Sequence, residues 1–531
     1  MKPNFWSFLA CFFVLVFQAH AQVSVTTSRN NNNRDGQNLS ETILTPDNVN
    51  AASFGKLFAH TLDGSVYAQP LYMPSVAIPG LGTHNVVYVV TEHDSVYAFD
   101  ADSNTGVNAR PLWYRSFTYA DKGITTLSTT DVKCTNITPE IGITGTPVID
   151  PVAGTIFLVA RTKENGQFSQ RLHALDITTG KDRPGSPKLI QAHVDGKGQD
   201  NVNGVISFDP LHDNQRAGLL LQNGNVYISW ASHCDLPPYH GWLIAYDETT
   251  LRQTGVWNST PNGKLGGIWE SGIGLASDSD SNVFLAIGNG SYDGKTGGND
   301  FGDSIVRLTA VGGNRFHLAD WFTPYNQLGL ANADKDVGSG GVLLLPDQGE
   351  GAPHEHLLIE AGKEGSIYLI DRDNMGHFSA KSNSQIVQDM ENSIAGMFST
   401  PAWWNNNVYF GGAGDYLRQF TFDSTTEQLS AGAVSVSPTQ FGWPGSSPSI
   451  SANGASDAIV WALETDAFQS GSAILHAYDA MDIATELYNT NQSGKRDNPG
   501  EAVKFTVPTI ANGKVYVPAV KQLTAYGLLS K

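Results

Sequence analysis

Cysteine is scarce in this chain. Its 531 residues contain three, at Cys11, Cys134 and Cys234. None lies in a CxxCH or CxxC motif, which excludes a c-type haem attachment site and a metal site built on a cysteine pair. Cys134 and Cys234, the two beyond the N-terminal segment, could form one disulfide in an oxidising compartment or stay as two free buried thiols. The sequence alone leaves both alternatives open.

Basic residues are also few. The chain has 32 Lys and Arg against 51 Asp and Glu, a formal net charge of −19 at pH 7. Nucleic acids and anionic membranes bind to basic surfaces, so this balance excludes both as partners. An acidic surface is typical of a soluble exported protein or of one that gathers cations.

Long hydrophobic runs are missing except at the start. Lys2 precedes ten apolar residues (8–17, FLACFFVLVF), and Ala19 and Ala21 offer small residues for cleavage. The run is too short to span a bilayer and is typical of a cleaved secretory signal. The sequence therefore predicts a signal peptide over residues 1–21, no membrane span, and a secreted or periplasmic protein. Without a linker or a composition break, residues 22–531 are predicted to form one domain.

One sequence pattern occurs eight times: an apolar pair, followed by an aromatic-rich strand. Its copies begin at Val87, Ile156, Val226, Val283, Leu357, Val408, Ile459 and Val515. From Tyr88 to Tyr516 the seven intervals average about 61 residues, which is the size of a propeller repeat. A single unit cannot bury both of its faces, so the copies must stack on one another.

Each copy is preceded by a short strand that begins with small residues or proline, as in GTPVID from Gly145. Four antiparallel strands per copy, A to D from the axis outward, predict an all-β, eight-bladed β-propeller with almost no helix. The last copy reaches Lys531 after its third strand, so the segment from Phe54 is predicted to supply the fourth and close the ring. Residues 22–50 are expected to cross one face as coil.

Two stretches, residues 145–181 (GTPVIDPVAGTIFLVA…RLHALDITTGK) and 399–410 (STPAWWNNNVYF), resemble the quinoprotein dehydrogenase repeat. Residues 36–61 resemble the N-terminal lead-in of pyrroloquinoline quinone alcohol dehydrogenases. The resemblance covers nearly the whole chain after residue 21. It implies a propeller that binds Ca²⁺ and pyrroloquinoline quinone and oxidises an alcohol or a sugar. Without haem, such an enzyme needs an external electron acceptor.

The resemblance also implies site residues. Trp269 would stack on the quinone, and Asn289 would ligate the metal. Asp336 would be the catalytic base and a metal ligand, with Asp334 as the second choice. Lys363 would hydrogen-bond the quinone. A carboxylate base and a nearby cation are what an alcohol oxidation by a quinone needs, and Asn and Asp oxygens suit Ca²⁺.

The topology supports this grouping, because D–A and B–C connections open on the same face of a propeller. Two departures from the family stand against it. The adjacent cysteine pair is absent, with Cys134 alone in that region, and Asp235 takes the place of a metal-binding Glu with a shorter reach. The alternative function is a non-catalytic propeller that binds a glycan, a peptide or a protein partner.

Three further groups each have a functional and a structural interpretation. A glycine-rich loop that could bind an ion, or be a solvated turn, carries Asp293, Asp300 and Asp303. A possible transition-metal set with Cys234 consists of His233 and His240. Aromatic residues that could stack on a sugar, or simply pack, are Trp321, Phe322, Tyr325, Trp403 and Trp404.

Overall fold

The structure, a computed structural model, describes residues 23–530. Antiparallel strands dominate it, and the eight sequence copies each form a meander of neighbouring strands. The proposed signal segment lies outside the described residues. Within the described part of the chain, no helix is long and apolar enough to cross a membrane.

The strands of the first four copies follow in chain order. The first copy forms Leu71–Ile78, Gly82–Thr91, Ser95–Asp100 and Trp113–Ser116. The second forms Val148–Asp150, Thr155–Glu164, Gln167–Asp176 and Lys188–Leu189. The third forms Leu220–Gln222, Asn225–Ser232, Trp242–Asp247 and Gln253–Asn258. The fourth forms Ala276–Ser277, Val283–Ala286, Ile305–Ala310 and Asn314–Thr323.

The second half of the chain continues the pattern. The fifth copy forms Leu343–Leu344, Leu357–Ala361, Ile367–Asp371 and Gln388–Met390. The sixth forms Ala402–Trp404, Asn407–Gly411, Asp415–Asp423, Gln428–Leu429 and Ser435–Phe441. The seventh forms Ser449–Asn453, Ser456–Glu464, Ile474–Asp479 and Glu486–Asn489. The eighth consists of Thr509–Ala511 and Lys514–Leu528, joined by Phe54–Ser65.

Short elements complete the fold. The remaining strands are Gln37–Asn38, Ile124–Thr125, Leu127–Ser128, Glu140–Ile141, His193–Asp195, Val205–Ser207, Asp213–Asn214 and His377–Phe378. Residues 23–530 contain two α-helices, Thr129–Val132 and Gln327–Asn332. The 3-10 helices are Gly106–Ala109, Ala120–Lys122, Glu270–Gly272, Gly294–Thr296, Val337–Ser339 and Thr490–Asp497.

Alternation along the strands explains why the copies stack. In the second strand of the first copy, Tyr88 packs toward Ile156 of the second copy, in one hydrophobic cluster. The next residue, Val89, points the other way and packs in a cluster with Tyr516 of the eighth copy. Successive side chains of a strand point to opposite faces, so this sheet is covered on both sides. The first copy therefore lies between the second and the last, as in a closed ring.

The N-terminal strand completes the last copy, as the sequence predicted. Phe54–Ser65 runs antiparallel to the end of Lys514–Leu528, with Lys56 opposite Tyr526. The ring of Phe54 also packs on Trp461, with centroids 5.5 Å apart, and so reaches the seventh copy. This pairing covers a strand edge that would otherwise be open.

The backbone ladders do not divide evenly between the copies. The last strands of the third and fourth copies pair in parallel, with Gly255 opposite Asn314 and Val256 opposite Arg315. These two copies therefore belong to one continuous sheet of ten strands. The other copies form separate sheets of three to five strands.

Residues 25–38, called the axial segment below, follow the inner edge of the ring. Backbone or side-chain hydrogen bonds join the segment to the innermost strand of each copy in turn. In chain order the partners are Tyr72, Ile149, Leu221, Ser277, Leu344, Trp403, Ile450 and Ile510. The sequence predicted a coil across one face. The segment instead lies at the centre, because the inner strand edges offer unpaired backbone groups that only another chain segment can satisfy there.

Two arginines anchor the axial segment. Arg34 donates to Leu275 O (2.7 Å) and Ser28 O (2.7 Å). Arg29 donates to the carbonyl oxygens of Pro401 and Pro448, in the sixth and seventh copies. Both are fully buried, and burial lowers the pKa of each guanidinium to about 10, so both stay charged at neutral pH. Arg29 therefore joins the axial segment to two copies of the ring, and Arg34 joins it to the residue that precedes the first strand of the fourth copy.

Candidate functional site

A cavity of about 170 Å³ opens at one mouth of the ring. We call it the funnel cavity. Its lining includes Trp269 and Asp336 from D–A connections and Lys363 and Asp235 from B–C connections. The two kinds of connection therefore do open on one face. Asn289 is not in the lining but bonds directly to Asp336 behind it.

Hydrogen bonds link three of the predicted residues. The backbone N–H of Asn289 donates to Asp336 Oδ1 (2.6 Å), and Lys363 Nζ is 2.5 Å from Asp336 Oδ2. Asp336 is buried, so its charge needs such partners. The carboxylate is thus fixed from both sides, with one edge toward the cavity.

Asp334 forms the second contact of the same group. It accepts from Asn289 Nδ2 (2.7 Å) and from Lys363 Nζ (3.1 Å), and it is itself mostly exposed. Burial alone would lower the pKa of the Lys363 ammonium, but Asp336 and Asp334 together raise it above its ordinary value. Lys363 is therefore a permanent cation at neutral pH. Its two ion-pair partners in the described chain are Asp334 and Asp336.

Trp269 lies just before the 3-10 helix Glu270–Gly272 and is partly buried. Its indole N–H is buried and has no hydrogen-bond partner among the described residues. The side-chain oxygen of Asn289 is likewise buried and has no hydrogen-bond partner among the described residues. Buried polar atoms normally have a partner, so both atoms are available to a ligand that enters the cavity.

Gly288 determines how closely these residues approach. A Cβ at this position would lie 2.6 Å from Asp336 Oδ1 and 2.9 Å from Trp269 Cδ1. We expect Gly288→Ala to displace one of the two side chains and to lower the free energy of unfolding by about 1–3 kcal/mol. Denaturation followed by tryptophan fluorescence measures both effects. Gly329→Ala is the matched control, because a Cβ there meets nothing within 4 Å. Equal stabilities of the two variants would contradict the expected clash.

A disulfide joins Cys134 to Cys234, with the two Cα atoms 5.7 Å apart. Cys134 lies in the connection from the first to the second copy and Cys234 in the third copy, so the bond ties together two loops of the cavity face. Asp235 follows Cys234 at the exposed rim and accepts from the hydroxyl of Tyr239 (2.9 Å). The disulfide also excludes Cys234 as a thiolate metal ligand.

The disulfide closes a loop of 100 residues. Such a cross-link restricts the unfolded chain, so we expect reduction, or Cys134→Ser with Cys234→Ser, to lower the free energy of unfolding by about 2–4 kcal/mol. Urea denaturation with and without reductant measures the loss. Reductant should have no effect on the double variant. A wild-type midpoint that does not change on reduction would contradict this expectation.

The other candidate groups have structural roles. The three aspartates of the glycine-rich loop each accept a backbone N–H: Asp293 from Asp300, Asp300 from Asn262, and Asp303 from Val337. His233 contacts Arg161, whereas His240 bonds to Asp200 and Thr260, so the two histidines have separate partners. The aromatic residues that lie inside strands rather than loops are Trp321, Phe322, Trp403 and Trp404. The last three are buried, which indicates packing.

Sequence reasoning missed five charged or aromatic residues of the cavity wall. They are Arg216, Phe398, Trp443, Lys504 and Phe505. All five lie in D–A connections, the loops that the repeat pattern already placed at this mouth. Each loop contributes only one or two of them, so no local motif marked them. Inspecting every D–A connection for charged and aromatic residues would have found the set.

The sequence resemblance implies two cofactors, pyrroloquinoline quinone and Ca²⁺, and the cavity residues suit them unequally. A planar, acidic quinone fits, since the cavity offers an unpartnered indole N–H, aromatic walls and cations. A Ca²⁺ ion does not fit as well, because both Asp336 oxygens already have partners and Asp235 is bonded to Tyr239. Within the described residues, no group of three His, Cys, Asp or Glu could hold a metal ion.

No protein-family model and no curated protein matches this sequence. Among solved structures, the chain is similar to a europium-containing methanol dehydrogenase, with 13% identity and a TM-score of 0.59 over 95% of this chain and 98% of that one. It is also similar to BamB from Moraxella catarrhalis, with 12% identity and a TM-score of 0.50 over 89% and 99%. At these identities the likeness shows the fold alone. The chain is a mostly-β propeller.

Proposed function

We propose that this protein is a quinoprotein-like oxidoreductase that binds a planar quinone in the funnel cavity and oxidises an alcohol or a sugar. The observation that carries the proposal is the contact group of Asn289, Asp336 and Lys363 beside an unpartnered Trp269 N–H. Asn289 and Lys363 come from the fourth and fifth copies, and Trp269 and Asp336 come from the connections that lead into those copies. Structural turns alone do not require them to meet at a cavity.

The chemistry of the residues follows from their contacts. Asp336 is held by the Asn289 N–H and by Lys363, with its carboxylate at the cavity wall, so it can accept the proton of an alcohol that enters. The Lys363 ammonium stabilises negative charge that develops beside it. Trp269 provides a flat wall and an N–H donor. A bound quinone would supply the two-electron oxidation, and an external acceptor would then reoxidise it.

The direct test mixes the purified protein with pyrroloquinoline quinone, with and without Ca²⁺, and follows quinone binding by absorbance. Dye reduction with simple alcohols and aldose sugars then measures turnover. We expect Asp336→Asn to abolish dye reduction and to weaken quinone binding less than Trp269→Ala does. The sequence-based assignment of Ca²⁺ to Asn289, Asp336 and Asp235 stays a prediction, and the arm with Ca²⁺ tests it.

Asp121→Asn is the control, because Asp121 is exposed and does not line the cavity. It should behave as the wild type. If no quinone binds while circular dichroism shows an intact fold, the oxidoreductase proposal fails. The alternative would then hold, a non-catalytic propeller that binds a glycan, a peptide or a protein, and the incomplete metal ligand set favours that alternative.

We also propose that the ring has eight blades, one for each copy, and that the protein is exported after cleavage of residues 1–21. The axial segment, which bonds to eight innermost strands in order, supports the blade count. The Cys134–Cys234 disulfide supports an oxidising compartment. An experimental structure with seven blades would contradict the first proposal. N-terminal sequencing of secreted protein should begin at Gln22, and Met1 would contradict the second.

A further inference from the structure

Two cations on the wall of the funnel cavity lack partners. Arg216 and Lys504 are only 6% and 4% exposed, and both line the cavity. Within residues 23–530, neither side chain forms a hydrogen bond or an ion pair. A guanidinium has five N–H donors and an ammonium three. None of these nitrogens is among the fully buried unpartnered atoms of the described chain, so the donors face the cavity, where a ligand can reach them. Two neighbouring cations without a counter-charge favour the binding of an anion.

Aromatic rings stabilise part of the positive charge of Arg216 and Lys504. Lys504 Nζ lies 5.0 Å from the ring centroids of both Trp443 and Phe468, and Arg216 Cζ lies 4.3 Å from that of Phe505. Cation–π contacts are worth about 0.5–2 kcal/mol each, and they satisfy none of the N–H donors. The rings hold the two cations in place and leave their donors free for a ligand.

No carboxylate of the described chain forms an ion pair with Arg216 or Lys504. Glu92 acts electrostatically on Arg216, but its Oε2 already accepts from Gly142 N–H (2.8 Å) and the Thr144 hydroxyl (3.2 Å). Asp336, elsewhere in the lining, is bonded to Lys363. In a chain with a net charge of −19, the cavity lining carries three cations and two carboxylates. The local charge is opposite in sign to that of the whole protein.

We propose that Arg216 and Lys504 form an anion subsite that binds a carboxylate of the cavity's ligand. The inference rests on the proposed function in that it concerns the same cavity, and it names the ligand class as an acidic small molecule. Two sources share this chemistry. The carboxylate belongs either to a hydroxy-acid substrate, such as an acidic sugar, or to the quinone itself. Arginine and lysine both bind carboxylates by charge-assisted hydrogen bonds of this kind.

Protonation gives the subsite a second signature. Burial and, to a smaller extent, the charge of the neighbouring Arg216 together lower the pKa of Lys504 to about 7. Two groups that interact electrostatically with Arg216 are Tyr67 and Glu92. The other charged or titratable groups of the cavity lining include Asp235, Asp336 and Lys363. A bound carboxylate favours the charged amine, so its pKa must rise on binding. Binding should therefore take up protons, and affinity should fall as the pH rises above about 7.

The experiment uses the full protein without quinone and measures binding calorimetrically for glucuronate and for its uncharged methyl ester. A second arm compares pyrroloquinoline quinone with its trimethyl ester. We expect the acid to bind at least ten times more tightly than the ester in one arm or both. Glucuronate binding without quinone identifies a substrate carboxylate. A preference confined to the second arm identifies the carboxylates of the quinone.

Variants assign the preference to the two residues. Lys504→Met and Arg216→Met should each reduce the acid's affinity at least tenfold, and Lys504→Met should remove its dependence on pH near 7. Lys504→Arg, which keeps the charge, should retain the preference and guards against a simple folding defect. Lys295→Met is the matched control, since Lys295 also lies over a ring, that of Phe378 at 5.2 Å, outside the cavity lining.

Equal binding of acids and esters, or an acid preference that both methionine variants retain, overturns the inference, as does the absence of any carboxylate binding. These results differ from failure of the proposed function. Quinone turnover that survives Lys504→Met and Arg216→Met keeps the oxidoreductase and removes the subsite. Glucuronate binding without any quinone binding keeps the subsite and removes the oxidoreductase.

Discussion

Replacing Arg34 with alanine is expected to lower the free energy of unfolding by about 3–5 kcal/mol. The guanidinium is fully buried and donates to Leu275 O, to Ser28 O and to the hydroxyl of Thr27 at 2.7–2.8 Å. Each buried acceptor left without a donor costs about 1–3 kcal/mol, and truncation adds a cavity. Arg34 also joins the axial segment to the fourth copy, so the segment itself should loosen.

Urea denaturation of Arg34→Ala beside the wild type measures this loss. Arg110→Ala is the control, because Arg110 is exposed and its removal should change the free energy of unfolding by less than about 0.5 kcal/mol. Arg29→Ala should resemble Arg34→Ala, since it removes the donors to Pro401 and Pro448. A loss below 1 kcal/mol in both buried-arginine variants would show that the axial segment adds little to the stability of the ring.

The repeats could be predicted from the sequence because every copy obeys the same alternation. The strands around Tyr88 and Tyr516, and the closing strand from Phe54, appear where the pattern predicted them. The axial segment could not be placed in this way. It is rich in Asn and has no period, and such a composition is typical of exposed coil. Its burial depends on unpaired backbone groups along the innermost strands of all eight copies. No local sequence pattern indicates those groups.

The residues of the candidate site were also only partly predictable from the sequence. Asp336, Lys363 and Trp269 could be placed at the cavity because each lies in a segment that resembles a known one. Arg216 and Lys504 lie in loops without such a resemblance, and they meet only because the ring closes. A charge that is buried by a distant part of the chain has no local signal in the sequence. The structure alone brings these two cations together.

Glu270→Gln is expected to stabilise the protein by about 3–5 kcal/mol at pH 8 and by much less at pH 5. Glu270 is fully buried, accepts from the Ala286 N–H (3.2 Å), and has a second oxygen without a partner in the described chain. Burial raises its pKa to about 8, against opposing effects of that N–H and of Arg34. Glu360, also buried and without partners for either oxygen, has its pKa raised by burial and by Glu270.

The sign follows from proton linkage. Between about pH 4.5 and pH 8 the folded state keeps a proton on Glu270 that the unfolded state has lost. The folded state binds more protons there, so the free energy of unfolding falls as the pH rises through that window. Glutamine cannot ionise and should remove this part of the slope, while Glu360 keeps its own. Adding Glu360→Gln should flatten the profile further.

Denaturation of wild type, Glu270→Gln and the double variant at pH 5, 6, 7 and 8 measures these slopes. Glu350→Gln is the control, since Glu350 is exposed and its replacement should leave the wild-type slope unchanged. Parallel profiles for wild type and Glu270→Gln would show that Glu270 is ionised in the folded protein, with Arg34 as its counter-ion. In that case Arg34→Ala should destabilise more at pH 8 than at pH 5. If Glu270 is instead protonated throughout, the cost of Arg34→Ala should hardly change with pH, so the two sets of variants together determine the charge state at the centre of the ring.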